Sequence, residues 1–238
     1  MSTMRELAIG DIHGCARTLQ VLLEKWQPRP EDTVILLGDY INRGADSCGV
    51  IELILELNRQ CTVVALAGNH EKMLLDARRQ PAVLREFLKK GGDTMLDSYE
   101  RHGYARGVEG IPARHWKFFA EGLLDFWETE ETIFVHAAVD PELAMAEQPQ
   151  RMLFWEKFRD PMVHCSGKPV VCGHASQKDG RPAFFRGGVC IDSWAWRSGW
   201  LTGLDVGTRR LLQVNERGEE RWMEWRLTDG AGNGGWGL

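Results

Sequence analysis

The chain of 238 residues carries 29 Lys and Arg against 34 Asp and Glu, which gives a formal net charge of -5. Hydrophobic residues make up 43% and charged residues 26%, which is ordinary globular usage and excludes a disordered or collagen-like protein. No apolar run approaches the roughly 20 residues that cross a bilayer. Nothing in this acidic balance suggests a surface for nucleic acid or an anionic membrane, so neither is expected as a partner.

The start of the chain shows no basic-then-apolar signal segment, so we predict a cytoplasmic protein. The six cysteines form no CxxC pair, so the spacing of a four-cysteine zinc site is absent and reduced thiols are expected. The sequence leaves the oligomeric state open.

Short apolar runs alternate with amphipathic segments from Arg5 to Gln80. This alternation is typical of βαβ units, so we predict an α/β fold with a partly parallel sheet. Residues 81–122 are interpreted as a helical insertion, because short helical patterns there are broken at glycines. Later strands are predicted at TIFVHA, PVVCGHA and GGVCIDSW, followed by two or three antiparallel strands. We expect a single domain over residues 1–228 and a flexible glycine-rich tail over 229–238.

Residues with metal-binding side chains follow the ends of the predicted strands. Three early strands end in glycine followed by an acidic or amide residue, and two later strands end at histidines. Ligands of α/β sheets bind beyond the carboxyl ends of the strands, so these turns are expected to meet in one crevice. The crevice would hold Asp11, His13, Asp39, Asn69, His136 and His174, with His70 and Arg43 alongside.

Mixed carboxylate and imidazole ligands favour a site for two divalent metal ions. A carboxylate from a central strand can bridge two ions, and this donor set suits Mn²⁺, Fe or Zn²⁺. The guanidinium of Arg43 would hold phosphate oxygens in its fork. Any one of these Gly-Asp or Gly-His pairs alone is typical of a plain turn. Five such signals in order, each at the end of an apolar run, favour the metal site.

The motifs GDxHG, GDxxxRG, GNHE, FVHA and GH occur here in the order found in calcineurin-like metallophosphoesterases. From about Arg5 to Trp194 the chain resembles the phosphoprotein phosphatase family, and CIDSWAW resembles its bacterial and phage-type members. The resemblance implies a central β-sandwich flanked by helices, a four-layer arrangement with the metal site at one edge. It also implies two divalent ions, with Mn first and Fe, Zn, Ni or Mg as alternatives.

Carried over by position, the resemblance implies two sets of metal ligands. These are Asp11, His13 and Asp39 for the first metal, and Asp39, Asn69, His136 and His174 for the second. Asp39 would bridge, His70 would act as the general acid, and Arg43 would clamp phosphate. The implied reaction is in-line attack of a metal-bridging hydroxide on a phosphomonoester, without a phosphoenzyme.

The chain departs from this family at three places, one of which is Ala175, where the family has threonine after Gly-His. Asn42 stands where the family usually has the Asp that orients the acid histidine. Lys157 stands where bacterial members tend to have a second phosphate-binding arginine, and Arg159 follows two residues later. Either of these two cations is a candidate phosphate contact, and a surface salt bridge is the alternative.

The resemblance predicts a serine/threonine protein phosphatase that acts on phosphoproteins and small phosphomonoesters. The alternative is a dinucleoside polyphosphate hydrolase, because those relatives also tend to lack the Asp at position 42. An inactive binding module is a minor alternative that the complete set of metal ligands disfavours. The sequence leaves Arg101 and Arg106 of the insertion as substrate contacts or surface residues. The remaining histidines, His102, His115 and His164, are expected at the surface.

Overall fold

Two β-sheets pack face to face in the computed structural model, which describes residues 4–226. The strands are β1 (Glu6–Ile9), β2 (Thr33–Leu36), β3 (Thr62–Ala65), β4 (Phe126–Glu128), β5 (Ile133–Val135), β6 (Val170–Cys172), β7 (Ala183–Phe185), β8 (Gly188–Cys190), β9 (Leu201–Asp205), β10 (Arg210–Val214) and β11 (Glu220–Glu224). The helices are α1 (Ala16–Trp26), α2 (Ser47–Leu57), α3 (Asn69–Ala77), α4 (Pro81–Phe87), α5 (Asp93–Arg101), α6 (Ala113–Glu121), α7 (Gln150–Phe154) and α8 (Ala195–Ser198).

The first sheet has six strands in the order β11-β10-β9-β1-β2-β3. Its strands β1, β2 and β3 are parallel and are connected by α1 and α2, as the alternating pattern predicts. The second sheet has five strands in the order β4-β5-β6-β8-β7, with β5, β6 and β8 parallel. The sequence predicted the central strands of both sheets but missed the three-residue edge strands β4 and β7.

The alternation of side chains along β1 shows how the layers are filled. Leu7 and Ile9 belong to a buried cluster with the helices, whereas Ala8 belongs to a cluster with Phe134 and Val171 of the second sheet. Successive strand residues point to opposite faces, so one strand serves both layers. A further apolar cluster joins the outer face of the second sheet to α7. The predicted β-sandwich flanked by helices is therefore confirmed.

The helices α4, α5 and α6 lie between β3 and β4 in the chain, where the sequence predicted a helical insertion. A single π-helical turn at Leu88–Gly92 joins α4 to α5 and places Gly91 with a positive φ of 96°. The carbonyl of Gly91 accepts a hydrogen bond of 3.2 Å from the N–H of Arg43. The helical segment therefore touches the loop that follows β2.

The sequence also predicted a glycine-rich tail and three surface histidines. The predicted glycine-rich tail, 229–238, lies outside the described residues, and the single-domain boundary at 228 stays a prediction. Of the three histidines expected at the surface, His115 and His164 are buried, and this prediction was wrong for them.

None of the helices between residues 4 and 226 is long and apolar enough to cross a membrane.

Candidate dinuclear metal centre

The site is formed where strands of both sheets end, on one side of the sandwich. Asp39, His13 and His174 follow these strands with positive φ angles of 52°, 46° and 62°. Residues other than glycine rarely adopt this conformation, which costs about 1–3 kcal/mol and is concentrated at functional sites. The backbone therefore bends sharply at the positions that turn these side chains into the crevice.

Two groups of potential metal ligands share the carboxylate of Asp39. In the first, Asp39 Oδ2 lies 3.4 Å from His13 Nε2 and 3.9 Å from His70 Nε2. In the second, Asp39 Oδ1 lies 3.5 Å from His136 Nε2, and His174 completes the group. One buried carboxylate thus faces both groups, which is the arrangement that a bridging ligand requires.

Backbone carbonyls hold the imidazole rings with defined nitrogens facing the crevice. The Nδ1 atoms of His13 and His136 lie 2.9 Å from the Ile41 carbonyl and 2.8 Å from the Leu37 carbonyl. His174 is turned the other way, with Nε2 3.2 Å from the carbonyl of Trp155. Each of these ring nitrogens donates to its carbonyl, which leaves the other nitrogen with a lone pair for a metal.

Asn69 and Asp11 complete the predicted ligand set. The Oδ1 atom of Asn69 lies 3.1 Å from His136 Nε2 and 3.2 Å from His174 Nδ1. Both carboxylate oxygens of Asp11 accept from the N–H of His174 at 3.1 Å. The structure therefore brings all six residues predicted as metal ligands into one crevice, where their role as ligands stays a prediction.

The electrostatics of the crevice fit divalent cations. Burial, followed by the charges of Asp192 and Asp39, raises the pKa of Asp11 well above its usual value, and burial raises the pKa of Asp39. Burial lowers the pKa of His13 to about 3 and of His136 to about 4, so both rings are neutral near pH 7. Crowded carboxylates with neutral imidazoles need positive charge between them, and two divalent ions would supply it.

The buried acid Glu71 is a residue whose role the sequence reasoning missed. Its carboxylate accepts from the N–H groups of Gly68, Asp39 and Tyr40, each at 2.9 Å. These hydrogen bonds attach the turn that contains Asp39 to the first turn of helix α3. The signal was present in the GNHE motif, which places Glu71 next to two candidate site residues, but the sequence does not show which N–H groups it meets.

Asp192 is a second residue that the sequence reasoning left without a role. This buried carboxylate accepts from the Ser176 hydroxyl at 2.7 Å and from the Trp194 N–H at 2.9 Å. Its charge contributes to the raised pKa of Asp11. Asp192 therefore adds a third carboxylate to the crevice, and it lies in the CIDSWAW motif that the resemblance singled out.

Asn42 contacts the histidine that the sequence proposed as the general acid. Asn42 Nδ2 lies 2.7 Å from His70 Nδ1, and both side chains are buried. The amide oxygen of Asn42 has no hydrogen-bond partner among the side chains and backbone of residues 4–226. Either orientation of the amide pairs it with the ring, and neither places a negative charge beside the imidazole.

The three cations predicted to bind phosphate differ in their contacts and their exposure. The Nη1 atom of Arg43 lies 3.2 Å from His13 Nε2, and its guanidinium carbon lies 5.5 Å from the Trp196 ring centre. Lys157 is exposed, and its charge helps to lower the pKa of His174, after burial and His136. Arg159 is an exposed residue two positions beyond Lys157.

A separate group of ligand-type side chains joins α2 to the helical segment. The donor atoms of Cys48, Glu52 and His115 lie within 4.8 Å of one another. His115 is already hydrogen-bonded on both nitrogens, at 2.8 Å to the Tyr99 hydroxyl and 3.0 Å to Glu52. Arg114 also binds Glu52. These contacts explain why His115 is buried, and they make the group a hydrogen-bonded link between helices.

Comparison with known proteins identifies the family. The family model for calcineurin-like phosphoesterases matches residues 4–186 of this chain. The chain belongs to the calcineurin-like phosphoesterase family. Solved structures at low identity share the fold: a cold-active protein-tyrosine phosphatase of Shewanella has a TM-score of 0.62 at 16% identity, covering 94% of this chain and 81% of that one. A metallophosphoesterase from Sphaerobacter thermophilus has a TM-score of 0.56 at 16% identity, covering 94% and 90%.

Similar curated proteins carry two different activities in their names. A symmetrical bis(5'-nucleosyl)-tetraphosphatase of Pseudomonas syringae is 39% identical over 98 residues, which cover 41% of this chain and 31% of the relative. The serine/threonine-protein phosphatase 1 of Salmonella typhimurium is 40% identical over 86 residues, covering 36% of this chain and 38% of the relative. The chain thus spans well under half the length of either relative.

Proposed function

We propose that this protein hydrolyses phosphoanhydride bonds of dinucleoside polyphosphates with the help of two divalent metal ions. The observation that carries the choice of substrate is the pair of Asn42 and His70, 2.7 Å apart. The name of the Pseudomonas relative supports the same class. The protein phosphatase activity that the sequence favoured becomes the second candidate.

The residues of the crevice have distinct roles in this proposal. Asp39 would bridge the ions, and the other ligands would be Asp11, His13, Asn69, His136 and His174. Two such ions would make a bound water more acidic near neutral pH and would offset the negative charge that develops on the phosphoryl group. Arg43 binds and orients that phosphoryl group through its guanidinium fork. Water forms the new bond to phosphorus while the bridging P–O bond of the anhydride breaks, the second nucleotide leaves as a phosphate anion and the proton of the water passes to solvent, so no phosphorylated residue forms.

The leaving group distinguishes the two candidate substrates. A serine or threonine alkoxide is strongly basic and must be protonated as it leaves, whereas a nucleotide phosphate leaves as a stable anion. Burial, followed by the charges of His13 and Arg43, lowers the pKa of His70, and the uncharged Asn42 does nothing to raise it. His70 is therefore neutral near pH 7 and a weak acid, which favours the anhydride.

The Salmonella relative is the observation that favours the second candidate, a serine/threonine protein phosphatase. In that case the ring of His70 would still donate a hydrogen bond to the leaving oxygen. Lys157 and Arg159 are kept as proposed contacts for negatively charged groups of either substrate, because both are exposed and the charge of Lys157 helps to lower the pKa of His174.

The deciding experiment compares two substrates on the Mn²⁺-loaded enzyme. We expect kcat/KM for diadenosine tetraphosphate to exceed that for a phosphoserine peptide by at least tenfold. A preference for the peptide would overturn the proposed substrate class. Elemental analysis of the same preparation checks for two ions per chain, and removal of the ions by a chelator is expected to abolish turnover of both substrates.

The metal and the location are also part of the proposal. Manganese is the proposed metal, because carboxylate, amide and imidazole donors surround the crevice and thiolates do not take part. All six cysteines are free thiols in the structure, which supports the reducing cytoplasm that the sequence predicts. The proposed substrates are small phosphorylated molecules, and the oligomeric state stays open.

A further inference from the structure

A cavity of about 550 Å³ opens beside Arg43, between the loop after β2 and helix α5. Its lining includes Asp46, Thr94, Asp97, Arg101 and His102. This volume lies within the range of roughly 300–1,000 Å³ that is typical of small-molecule sites. Arg43 lines the cavity, and its Nη1 atom also lies 3.2 Å from His13 Nε2, so this one residue adjoins both the cavity and the metal centre.

The charged groups of the cavity differ in the hydrogen bonds that they already make within the protein. Asp46 accepts from the Gly49 N–H at 2.9 Å and contacts His102 Nε2 at 2.8 Å. Asp46 and His102 are therefore already paired with each other in the wall of the cavity. Arg101 donates a hydrogen bond from its Nη2 atom to the carbonyl of Ala45. A guanidinium has five N–H donors in a fork, so Arg101 keeps donors for a further ligand.

Two arginines of the cavity favour a substrate with more than one phosphate. A phosphoserine peptide has a single phosphate, and the metal centre and Arg43 would bind it. The second guanidinium, that of Arg101, comes from α5 and faces the same space. A phosphoanhydride chain continues from the first phosphate to the next, and Arg binds such oxygens in two-pronged geometry.

We propose that this cavity binds a nucleoside phosphate, the leaving half of the substrate, with Arg101 contacting the phosphate next to the one held by Arg43. The exposed carboxylate of Asp97, one helical turn before Arg101, accepts hydrogen bonds from ribose hydroxyls. This inference rests on the proposed function, because it assigns the part of that substrate that leaves the metal centre. It makes the helical segment a determinant of substrate choice.

The test uses Arg101→Ala with Arg106→Ala as the matched control. Both arginines are exposed and belong to the same helical segment, but Arg106 does not line the cavity. We expect Arg101→Ala to lower the ratio of kcat/KM for diadenosine tetraphosphate to kcat/KM for p-nitrophenyl phosphate by about tenfold, the effect of one charge-assisted hydrogen bond. Arg106→Ala should leave this ratio within about twofold of the wild type.

Equilibrium binding of ADP in the presence of a chelator gives a readout that does not depend on turnover. Arg101→Ala should weaken this binding by about tenfold, and Arg106→Ala should not. Equal ADP affinities for the two variants would overturn the cavity assignment even if the dinucleotide is hydrolysed. Conversely, ADP binding that depends on Arg101, in a wild type that does not cleave the dinucleotide, would support the cavity and overturn the proposed function.

Discussion

The N–H of Arg43 donates to the carbonyl of Gly91 across 3.2 Å, so the proposed phosphate-binding arginine is held by the helical segment through its backbone. Gly91 has a φ of 96°, and a Cβ atom at this position would lie 2.6 Å from the nitrogen of Arg43. Only glycine fits this close approach without displacing the loop after β2.

Replacement of Gly91 by alanine should therefore damage phosphate binding more than folding. We expect Gly91→Ala to lower kcat/KM by between about ten- and a hundredfold, because displacement of a positioning group by about 1 Å has effects of this size. Metal content should stay at the wild-type value. Gly103→Ala is the control, since Gly103 has a φ of 85° but no atom within 4 Å. Equal kinetic losses in both variants would show that strain alone is responsible.

Replacement of Asn42 by aspartate should restore a charged partner for His70. A carboxylate beside the ring favours the imidazolium and raises the pKa of His70, which burial now lowers. The acid must be protonated to act, so the alkaline limb of the pH–kcat profile should move to higher pH in Asn42→Asp. The shift should be seen with an alkyl phosphate and be small with p-nitrophenyl phosphate, whose leaving group needs little protonation. An alkaline limb for the alkyl ester that stays in place or moves down would contradict the pairing.

Replacement of Glu71 by glutamine should destabilise the turn that carries Asp39. The amide of glutamine turns an NH₂ group toward backbone N–H donors that now meet a carboxylate oxygen. We expect the free energy of unfolding to fall by about 2 kcal/mol, and the affinity for Mn²⁺ to fall as Asp39 loses its support. Denaturant unfolding and a metal titration measure the two effects. Glu121→Gln, at an exposed position ending α6, should change neither.

Stability at low pH should depend on Asp32, which is fully buried beside two arginines. Burial alone would raise its pKa, but hydrogen bonds from Arg5 and Arg29 outweigh burial and lower the pKa below its usual value. A lowered carboxyl pKa stabilises the fold above the unfolded pKa of about 3.9, and this contribution is lost as the pH falls through the folded value.

We therefore expect Asp32→Asn to reduce the free energy of unfolding at pH 7 by about 2 kcal/mol. The difference from the wild type should shrink as the pH falls below about 4, because Asp32 is then protonated in the unfolded wild-type chain while it is still ionised in the folded one. Urea unfolding at several pH values measures the difference. A gap between the two proteins that is independent of pH would mean that the carboxylate charge does not contribute.

The sequence predicted those features of the site that depend on local order along the chain. The candidate ligands Asp11, Asp39 and His136 each follow directly on a buried apolar run, and parallel strands bring such positions together without further information. Lys157 and Arg159 were harder to place, because they lie in an irregular loop after α7, and a loop gives no periodic pattern to interpret.

The features that the sequence did not predict depend on contacts between distant segments. Glu71 is important because it meets the N–H groups of Asp39 and Tyr40, and a motif shows the acid but not its partners. His115 has polar neighbours in the sequence, yet Tyr99 and Glu52 surround it in the fold. The edge strands β4 and β7 contain only three residues each, too few to show a period.

The pairing of β1 with β9 sets the order in which the protein can assemble during translation. Leu7 lies opposite Asp205 in the first sheet, so the strand that leads to Asp11 pairs with a strand that is synthesised long after it. Parallel and long-range pairings form slowly. During translation, the edge of β1 that β9 covers therefore has its backbone groups unpaired until β9 has been synthesised, and an unpaired strand edge can pair with other chains.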